Sequence, residues 1–282
     1  MGTDRNKSGF LRVLLVLAAA VVFASAARAE SVVRVGGAGS TLGTMKLLAG
    51  EFEKAHPEVK IQIFPSLGSS GGIKALLTGA LDLALSGRPL KEEEQKKGAT
   101  AQEYARTPFV FAANKSVRKA DLTTRELEKI YLGQTLNWPD GSQIRLVLRP
   151  DNDTDTKIVK EISAAMEHAV KAAAARPGML FAVTDQECDE DLARIIGALG
   201  PSTLTEIITE KKLLQVFSFN GVKPTVKALA EGKYPLAKPL FLVTSAKTPA
   251  AAREFARFVG SARGRALLVR TGNLVPPAGK GR

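Results

Sequence analysis

The segment from residue 32 to residue 86 alternates between strand and helix patterns, which constrains the fold more than any other feature of the sequence. Leu42, Met45 and Leu48 lie at helical spacing between two strand-like runs. This βαβαβ order predicts an α/β protein in which a parallel sheet is flanked by helices. Ligands of such sheets bind in the crevice at the carboxyl ends of the strands. The three strand-like runs are residues 32–35, 60–64 and 81–86.

The rest of the chain continues the α/β pattern, with Thr123 and Glu126 spaced as a capping box at the start of one helix. A chain of 282 residues is long enough for one large domain or for two lobes of ordinary size. The further strand-like runs are residues 109–113, 145–149, 178–183, 213–218 and 240–244, and the helical patterns cover residues 123–131, 157–175, 192–199, 249–260 and 263–270.

The first 29 residues have the layout of a secretory signal peptide. A short basic start precedes an apolar run at 13–24, and Ala27 and Ala29 match the small residues that leader peptidase accepts. We expect cleavage after Ala29, which leaves 253 residues (282 minus 29). The alternative is an uncleaved membrane anchor, but the apolar run is short for about 30 Å of hydrocarbon. The only cysteine, Cys188, lies far downstream, so we expect a soluble periplasmic protein that is not a lipoprotein.

The mature chain is basic, because the leader contains only four of the 40 lysines and arginines and one of the 28 acidic residues. The remaining 36 basic and 27 acidic residues give a net charge of +9. Such a balance is compatible with nucleic acid, an anionic membrane surface or an anionic small ligand. Export argues against nucleic acid, and the basic residues are interleaved with acids along the chain, so charge alone selects no ligand.

Two glycine-rich loops, at residues 39–41 and 68–72, each place hydroxyl groups where a helix begins. A helix N-terminus presents unpaired backbone N–H groups and a partial positive charge, so an anion can dock there beside small side chains. The alternative is that these hydroxyls only cap their own helices. Both loops follow strands of one sheet and face the same crevice, which favours an anion site. The hydroxyl groups are those of Ser40, Thr41, Ser69 and Ser70.

Residue types that would indicate catalysis or metal binding are sparse and badly placed. His56 precedes a proline and His168 lies in an alanine-rich helical segment, so neither has a neighbouring nucleophile or metal-ligand spacing. Cys188 is flanked by acidic residues, which raise the pKa of its thiol and make it a poor nucleophile. We therefore expect a binding protein with no catalytic residues, no metal and no cofactor.

Two segments, GSSGG at 68–72 and IYLGQTLNW at 130–138, are the most specific motifs of the sequence. Together with residues 36–42, 81–90, 149–156 and 234–243, they resemble the phosphate-binding, substrate-binding components of bacterial ABC importers. The resemblance covers nearly all of the mature chain. It implies a type II periplasmic binding protein fold, with two lobes, each a mainly parallel sheet flanked by helices, and two crossover strands. The implied boundaries are 31–109 with 236–282 for lobe 1 and 110–235 for lobe 2.

The resemblance also implies which groups hold the ligand. The matching positions are the Thr41 hydroxyl, the backbone at Leu42, the Ser69 hydroxyl and the guanidinium of Arg149. A guanidinium can donate two parallel hydrogen bonds to an oxyanion. The alternative for Arg149 is a surface ion pair with one of the nearby aspartates, Asp151 or Asp153.

The sequence departs from the family at the end of the third strand. There the family has an aspartate that accepts the proton of bound phosphate, whereas this chain has Gly87 followed by Arg88. The acceptor that lets such a site prefer a protonated oxyanion is therefore missing at that place.

A second departure is the replacement of the family's Ser-Gly-Thr by Asp153, Thr154 and Asp155. One aspartate can cap the helix and repel an anion. Alternatively, one aspartate replaces the missing acceptor from the opposite lobe. The third interpretation is a ligand that carries both an anionic and a cationic group. Arg88 or Arg149 would then face the anionic group, and an aspartate would face the cationic one. The sequence leaves all three open.

The resemblance implies a monomeric protein that captures a small oxyanion, with phosphate as the leading candidate, and presents it to an inner-membrane ABC permease. Within transport, the alternatives are a tungstate-like oxyanion, a sulfonate, a phosphonate or a zwitterion. The alternative from another class is a sensory or scaffold protein that keeps the fold and binds weakly or not at all. The departures at Gly87, Asp153 and Asp155 keep these alternatives open.

Overall fold

The computed structural model describes residues 31–277. The predicted signal peptide, with its cleavage point after Ala29, lies outside the described residues. Within the described residues, no helix combines the length and the apolar character needed to cross a membrane.

The amino-terminal part has the predicted βαβαβ order. Strand β1 lies between β2 and β3 and runs parallel to both. A short 3-10 turn at Gly39–Thr41 leads from β1 into the first helix. The elements are β1 (Ser31–Gly37), α1 (Leu42–Ala55), β2 (Val59–Ile63), α2 (Gly68–Thr78) and β3 (Leu83–Ser86).

The remaining elements complete a mixed α/β fold. The capping box at the start of α4 is confirmed: Thr123 Oγ1 accepts a hydrogen bond from the Glu126 backbone N–H at 3.2 Å, and Glu126 accepts one from the Thr123 N–H at 2.9 Å. The elements are α3 (Glu92–Lys96), β4 (Ala99–Asn114), β5 (Asp121–Leu122), α4 (Thr124–Tyr131), β6 (Arg145–Leu148), α5 (Thr154–Glu161), α6 (Ala164–Ala175), β7 (Leu180–Phe181), α7 (Asp185–Arg194), β8 (Ala198–Thr203), α8 (Leu204–Thr209), β9 (Leu214–Val216), β10 (Ser218–Phe219), α9 (Val226–Ala230), β11 (Ala237–Ser245), α10 (Ala250–Val259) and α11 (Ala262–Arg270).

The main sheet has the strand order β2-β1-β3-β11-β4-β8-β6-β7, and β9 also pairs with β4. The 16-residue strand β4 pairs antiparallel with β11 along its first part and with β8 and β9 along its second part. Strand β10 pairs with β5 in a separate small sheet. The long strands β4 and β11 therefore connect the two ends of the main sheet.

The buried apolar side chains form two main cores. Core A draws its residues from 33–105 and 240–268, with Phe52 and Phe255 at its centre. Core B draws its residues from 109–236, with Phe111 and Phe217 among its largest side chains. Full burial of each such side chain contributes about 1.5–3 kcal/mol. The loops that the sequence singled out lie between these two cores.

The sequence predictions for two segments are wrong. The helix predicted over 157–175 is two helices: the first ends at Glu161, and Ser163 caps the second by accepting a hydrogen bond from the Met166 N–H at 3.0 Å. The helical stretch predicted over 192–199 instead contains the end of α7 and the start of β8. Pro201 is tolerated in β8 because it lies beyond the two residues that pair with β6.

Candidate functional site

The start of α2 is held close to the sheet by a glycine. A Cβ atom on Gly72 would lie 2.6 Å from the Cα of Gly37 in β1, so only glycine permits this approach. At the first turn of this helix, Ser69 Oγ accepts a hydrogen bond from the Gly87 N–H at 2.9 Å. Ser69 Oγ also lies 3.4 Å from Thr154 Oγ1 at the start of α5. The Ser69 hydroxyl therefore joins elements on the two sides of the cleft.

The turn before α1 contributes buried hydroxyls to the same region. Ser40 and Thr41 are both 1% exposed. Thr41 Oγ1 donates to the Ala38 carbonyl at 2.8 Å, and the Leu42 N–H bonds to the Gly39 carbonyl. Within residues 31–277, Ser40 Oγ has no hydrogen-bond partner.

The same turn lies directly against the start of α7. Gln186 Nε2 donates to the Gly39 carbonyl at 3.0 Å. A Cβ atom on Gly39 would lie 2.6 Å from Asp185 Oδ2, so this glycine allows the carboxylate to approach the turn.

Arg149 directly follows β6 and is buried, with 5% of its surface exposed. Its guanidinium donates to the Ala182 carbonyl at 2.9 Å and to Asp153 Oδ2 at 3.1 Å, and it lies 3.8 Å from Asp185 Oδ2. The ion pair with Asp153 is therefore an interior contact rather than a surface one. The other predicted partner, Asp151, pairs with Lys160.

Asp153 is the N-cap of α5. Its Oδ1 accepts a hydrogen bond from the Asp155 N–H at 2.9 Å, while its Oδ2 contacts Arg149. Asp153 thus satisfies one of the helix N–H groups that would otherwise be available to a ligand.

The structure adds a lysine that the sequence reasoning missed. Lys238 in β11 is 2% exposed, and its Nζ lies 2.5 Å from Asp155 Oδ1 and 3.0 Å from Asp185 Oδ1. Its Cε lies beside Gly87, where an added Cβ would be only 2.8 Å away. The absence of a side chain at Gly87 therefore makes room for the lysine. The feature of the sequence that could have indicated this lysine is that Lys238 is the single charged residue in the otherwise apolar segment 236–243.

Burial and charge determine the ionisation of this cluster. Burial raises the pKa of Asp155 to about 6, although Lys238 opposes the shift. Burial acts in the same direction on Asp185, but Lys238 and Arg149 outweigh it and hold the pKa of that carboxyl below its usual range. Burial alone would lower the pKa of Lys238, yet Asp155 and Asp185 raise it. At neutral pH the lysine is charged and its two carboxylate partners are mainly ionised.

Arg88 and Ser70 lie together on the α3 side of the cleft. Arg88 makes two bonds to the carboxylate of Glu94, at 2.7 and 2.9 Å, and it donates to Ser70 Oγ at 3.0 Å. The positive charge of Arg88 is thus paired within that side of the molecule.

Two open cavities border the charged cluster. One, of about 300 Å³, is lined by residues of the α2 start and the α5 start, including Ser69 and Asp153. The other, of about 800 Å³, is lined by residues of α1 and of the end of α8, including Lys46 and Thr209. Ser66 and Thr184 line both cavities, so the cleft is continuous past the start of α7.

The cysteine lies behind the cluster and is sequestered. Cys188 is 1% exposed, and its thiol donates to the Pro201 carbonyl at 3.3 Å. Burial, followed by the effect of Asp189, raises the pKa of the thiol well above its usual value. The part of the chain from 31 to 277 contains no group of three or more histidine, cysteine and acidic residues that could hold a metal ion.

The chain matches known binding proteins over most of its length. A family model described as the PBP superfamily domain matches residues 24–263. Protein SphX of Synechococcus elongatus is 31% identical over 265 residues, covering 83% of this chain and 74% of its own length. The phosphate-binding protein PstS of Borreliella burgdorferi is 23% identical over 255 residues, covering 87% of this chain and 90% of its own length.

Solved structures show the same fold. A Clostridium perfringens protein assigned as a phosphate ABC transporter substrate-binding protein, with bound phosphate, has a TM-score of 0.76 at 22% identity and covers 87% of this chain and 100% of its own. An ABC-type phosphate transport receptor from Vibrio cholerae has a TM-score of 0.60 at 23% identity, with coverage of 87% and 100%. The predicted α/β fold of the type II periplasmic binding protein class is confirmed.

Proposed function

The chain belongs to the PBP superfamily, and on this basis we propose that it is an exported solute-binding protein that captures a small oxyanion between its two cores. Phosphate is the leading candidate, because it is the ligand named for several relatives. The protein presents the captured anion to an inner-membrane ABC permease. It acts by binding and release, without catalysis.

The observation that carries this proposal is the buried guanidinium of Arg149 at the meeting point of the helix starts. Taking a guanidinium out of water is costly, so an interior arginine needs anionic or polar partners. The Thr41 and Ser69 hydroxyls lie at the starts of α1 and α2, on the core A side. Arg149 and the start of α5 face them from the core B side.

The two cores support a two-lobed arrangement that closes around the ligand. Lobe 1 comprises residues 31–109 and 236–282, and lobe 2 comprises residues 110–235. Core A draws only on the first set, and core B draws on the second set together with Phe109 and Leu236, the two residues at the boundary. The protein works as a periplasmic monomer after cleavage following Ala29.

Groups from both lobes take part in the proposed site. Thr41, the Leu42 backbone and Ser69 provide donors from lobe 1, and Arg149 provides the cation from lobe 2. A carboxylate at the α5 start replaces the acceptor that Gly87 cannot provide. The remaining members of the site are Ser40, Ser70, Arg88, Asp153, Thr154 and Asp155.

A thermal-shift panel tests the proposal. The mature chain is unfolded and refolded to remove carried-over ligand, then scanned with phosphate, sulfate, tungstate, molybdate, phosphonates and small zwitterions. A ligand at 100 times its dissociation constant stabilises the native state by about 2.7 kcal/mol, which such a scan resolves. We expect a selective shift with phosphate. A shift with another oxyanion reassigns the ligand, and a flat response to every oxyanion contradicts oxyanion capture.

A further inference from the structure

Lys238 and Arg149 are two buried cations that share one carboxylate. Asp185 Oδ1 lies 3.0 Å from Lys238 Nζ, and Asp185 Oδ2 lies 3.8 Å from the Arg149 guanidinium. Asp185 Oδ2 also faces the turn before α1. A Cβ atom added to Gly39 in that turn would lie only 2.6 Å from this oxygen. One carboxylate thus bridges two cations in front of a helix-leading turn, which is the arrangement that a bound oxyanion would adopt.

Lys238 lies at the centre of the groups proposed to bind the anion. Its Cε is adjacent to Gly87, whose N–H donates to Ser69 Oγ. Thr154 adjoins the same point, since its Cγ2 would be 3.6 Å from a Cβ on Gly87. Lys238 belongs to β11, whereas its partners Asp155 and Asp185 belong to α5 and α7 across the cleft. The ammonium, which is held on β11, therefore donates to acceptors on the opposite side of the cleft.

The carboxylates around Lys238 exceed the cations in number. Asp153, Asp155 and Asp185 provide three carboxylates, and Arg149 and Lys238 provide two cations. A further anion entering this low-dielectric space would be repelled unless one carboxylate withdrew. Asp185 is the one whose two oxygens reach both cations.

We propose that Lys238 is a further ligand-binding residue and that Asp185 is a built-in competitor, whose carboxylate occupies the place of the oxyanion between Lys238 and Arg149. The inference rests on the proposed function and deepens it. When the anion binds, the Asp185 side chain rotates away and Lys238 donates to the anion. The affinity of the protein for the anion is then set by a difference in free energy, between the contacts that the bound anion makes and the contacts that the Asp185 carboxylate gives up.

The test is equilibrium dialysis of radiolabelled inorganic phosphate against refolded mature protein. Asp185→Asn removes the competing charge and should bind phosphate about 10- to 100-fold more tightly, the range expected for one charge-assisted bond. Lys238→Met should bind about 10- to 100-fold more weakly, and Lys238→Arg should retain most of the affinity. Glu190→Gln, an exposed carboxylate on the same helix, serves as the matched control and should leave the affinity unchanged.

Lys238→Met leaves two buried carboxylates without their cation, which endangers the folding of that variant. A second variant therefore provides a test that does not depend on it. The double variant Lys238→Met/Asp185→Asn removes one charge of each sign and should bind more weakly than Asp185→Asn alone. Weaker or equal binding by Asp185→Asn, unchanged binding by Lys238→Met, or equal binding by the double variant and Asp185→Asn, overturns the inference while oxyanion capture by the wild type stands. Absence of phosphate binding in both the wild type and Asp185→Asn instead contradicts phosphate as the ligand of the proposed function.

Discussion

Asp189 is a fully buried carboxyl on α7, behind the charged cluster. Burial raises its pKa to about 7, against the opposing effect of Lys212. In the unfolded chain the pKa of an aspartate is about 4. Between about pH 4 and pH 7 the folded protein therefore holds a proton that the unfolded chain has lost, so stability falls as the pH rises through this window.

We predict that Asp189→Asn reduces this pH dependence, while the contribution of Asp155 to it remains. The amide stays neutral at every pH, so the variant should unfold at a higher temperature than the wild type at pH 8 and at a similar temperature at pH 4. Thermal unfolding at a series of pH values measures both. Glu190→Gln, which changes an exposed neighbour, should follow the wild-type profile. An Asp189→Asn profile parallel to that of the wild type would show that this carboxyl is not the source of the slope.

At single positions, sequence reasoning selected the hydroxyls, Arg149 and its partner Asp153 as candidate site residues, but it did not select Lys238 or Asp185. Ser69 and Arg149 were identifiable because they stand in recognisable motifs after strands. Lys238 is a lone charge within an apolar strand, and Asp185 is one of several acids in an acidic segment. Only the close approach of β11 to the start of α7 gives these two residues a common role. Such proximity depends on the topology and not on local spacing.

At the scale of elements, the position of α2 depends on one glycine. An added methyl group on Gly72 would meet the backbone of β1, with Gly37 Cα at 2.6 Å and the Gly36 carbonyl at 3.2 Å. Backbone atoms cannot give way as a flexible side chain can. Gly72→Ala should therefore displace α2 and with it Ser69, at a cost of about 1–3 kcal/mol.

Gly50→Ala is the matched control for Gly72→Ala, because it makes the same substitution at a helix position with free space around it. Gly50 lies within α1, and a Cβ there meets no atom within 4 Å, so alanine should stabilise the protein by about 0.5–1 kcal/mol. Denaturant unfolding measures both variants, and phosphate dialysis should show weaker binding for Gly72→Ala alone. Equal stability of Gly72→Ala and the wild type would mean that the helix is free to shift.

Element prediction from the sequence succeeded where patterns were regular and failed where a single residue decided the outcome. The five elements from β1 to β3 followed from apolar spacing and glycine turns. The break between α5 and α6 depends on Ser163, which looks like an ordinary residue within an alanine-rich amphipathic run. Strand β8 carries Gly200 and Pro201, a pair typical of loops, and becomes a strand because β4 pairs along it.

At the scale of the molecule, several contacts between the two sides of the cleft are polar. Gln186 bonds to the Gly39 carbonyl, Lys238 pairs with Asp155, and Ser69 approaches Thr154. Further from the cleft centre, the hydroxyls of α1 and α8 meet through Thr44 and Thr205 at 2.8 Å. Polar groups of this kind can exchange one partner for another, which suits a cleft that opens and closes around an anion.

The overall architecture was predictable because alternating strand and helix patterns admit few topologies. The family resemblance added the expectation of two lobes. The pairing of Lys238 with Asp185 was beyond prediction, because these residues lie 53 positions apart in the sequence and meet only through the fold.

The most direct test of the central claim is calorimetric titration of phosphate into the refolded mature protein and into two variants, Ser69→Ala and Arg149→Lys, which alter donors on opposite sides of the cleft. The wild type should bind one phosphate per chain. Each variant should lose about 1–3 kcal/mol of binding free energy, because each removes a hydrogen bond to a charged ligand. Unchanged phosphate affinity in both variants would contradict the placement of the anion between the two cores.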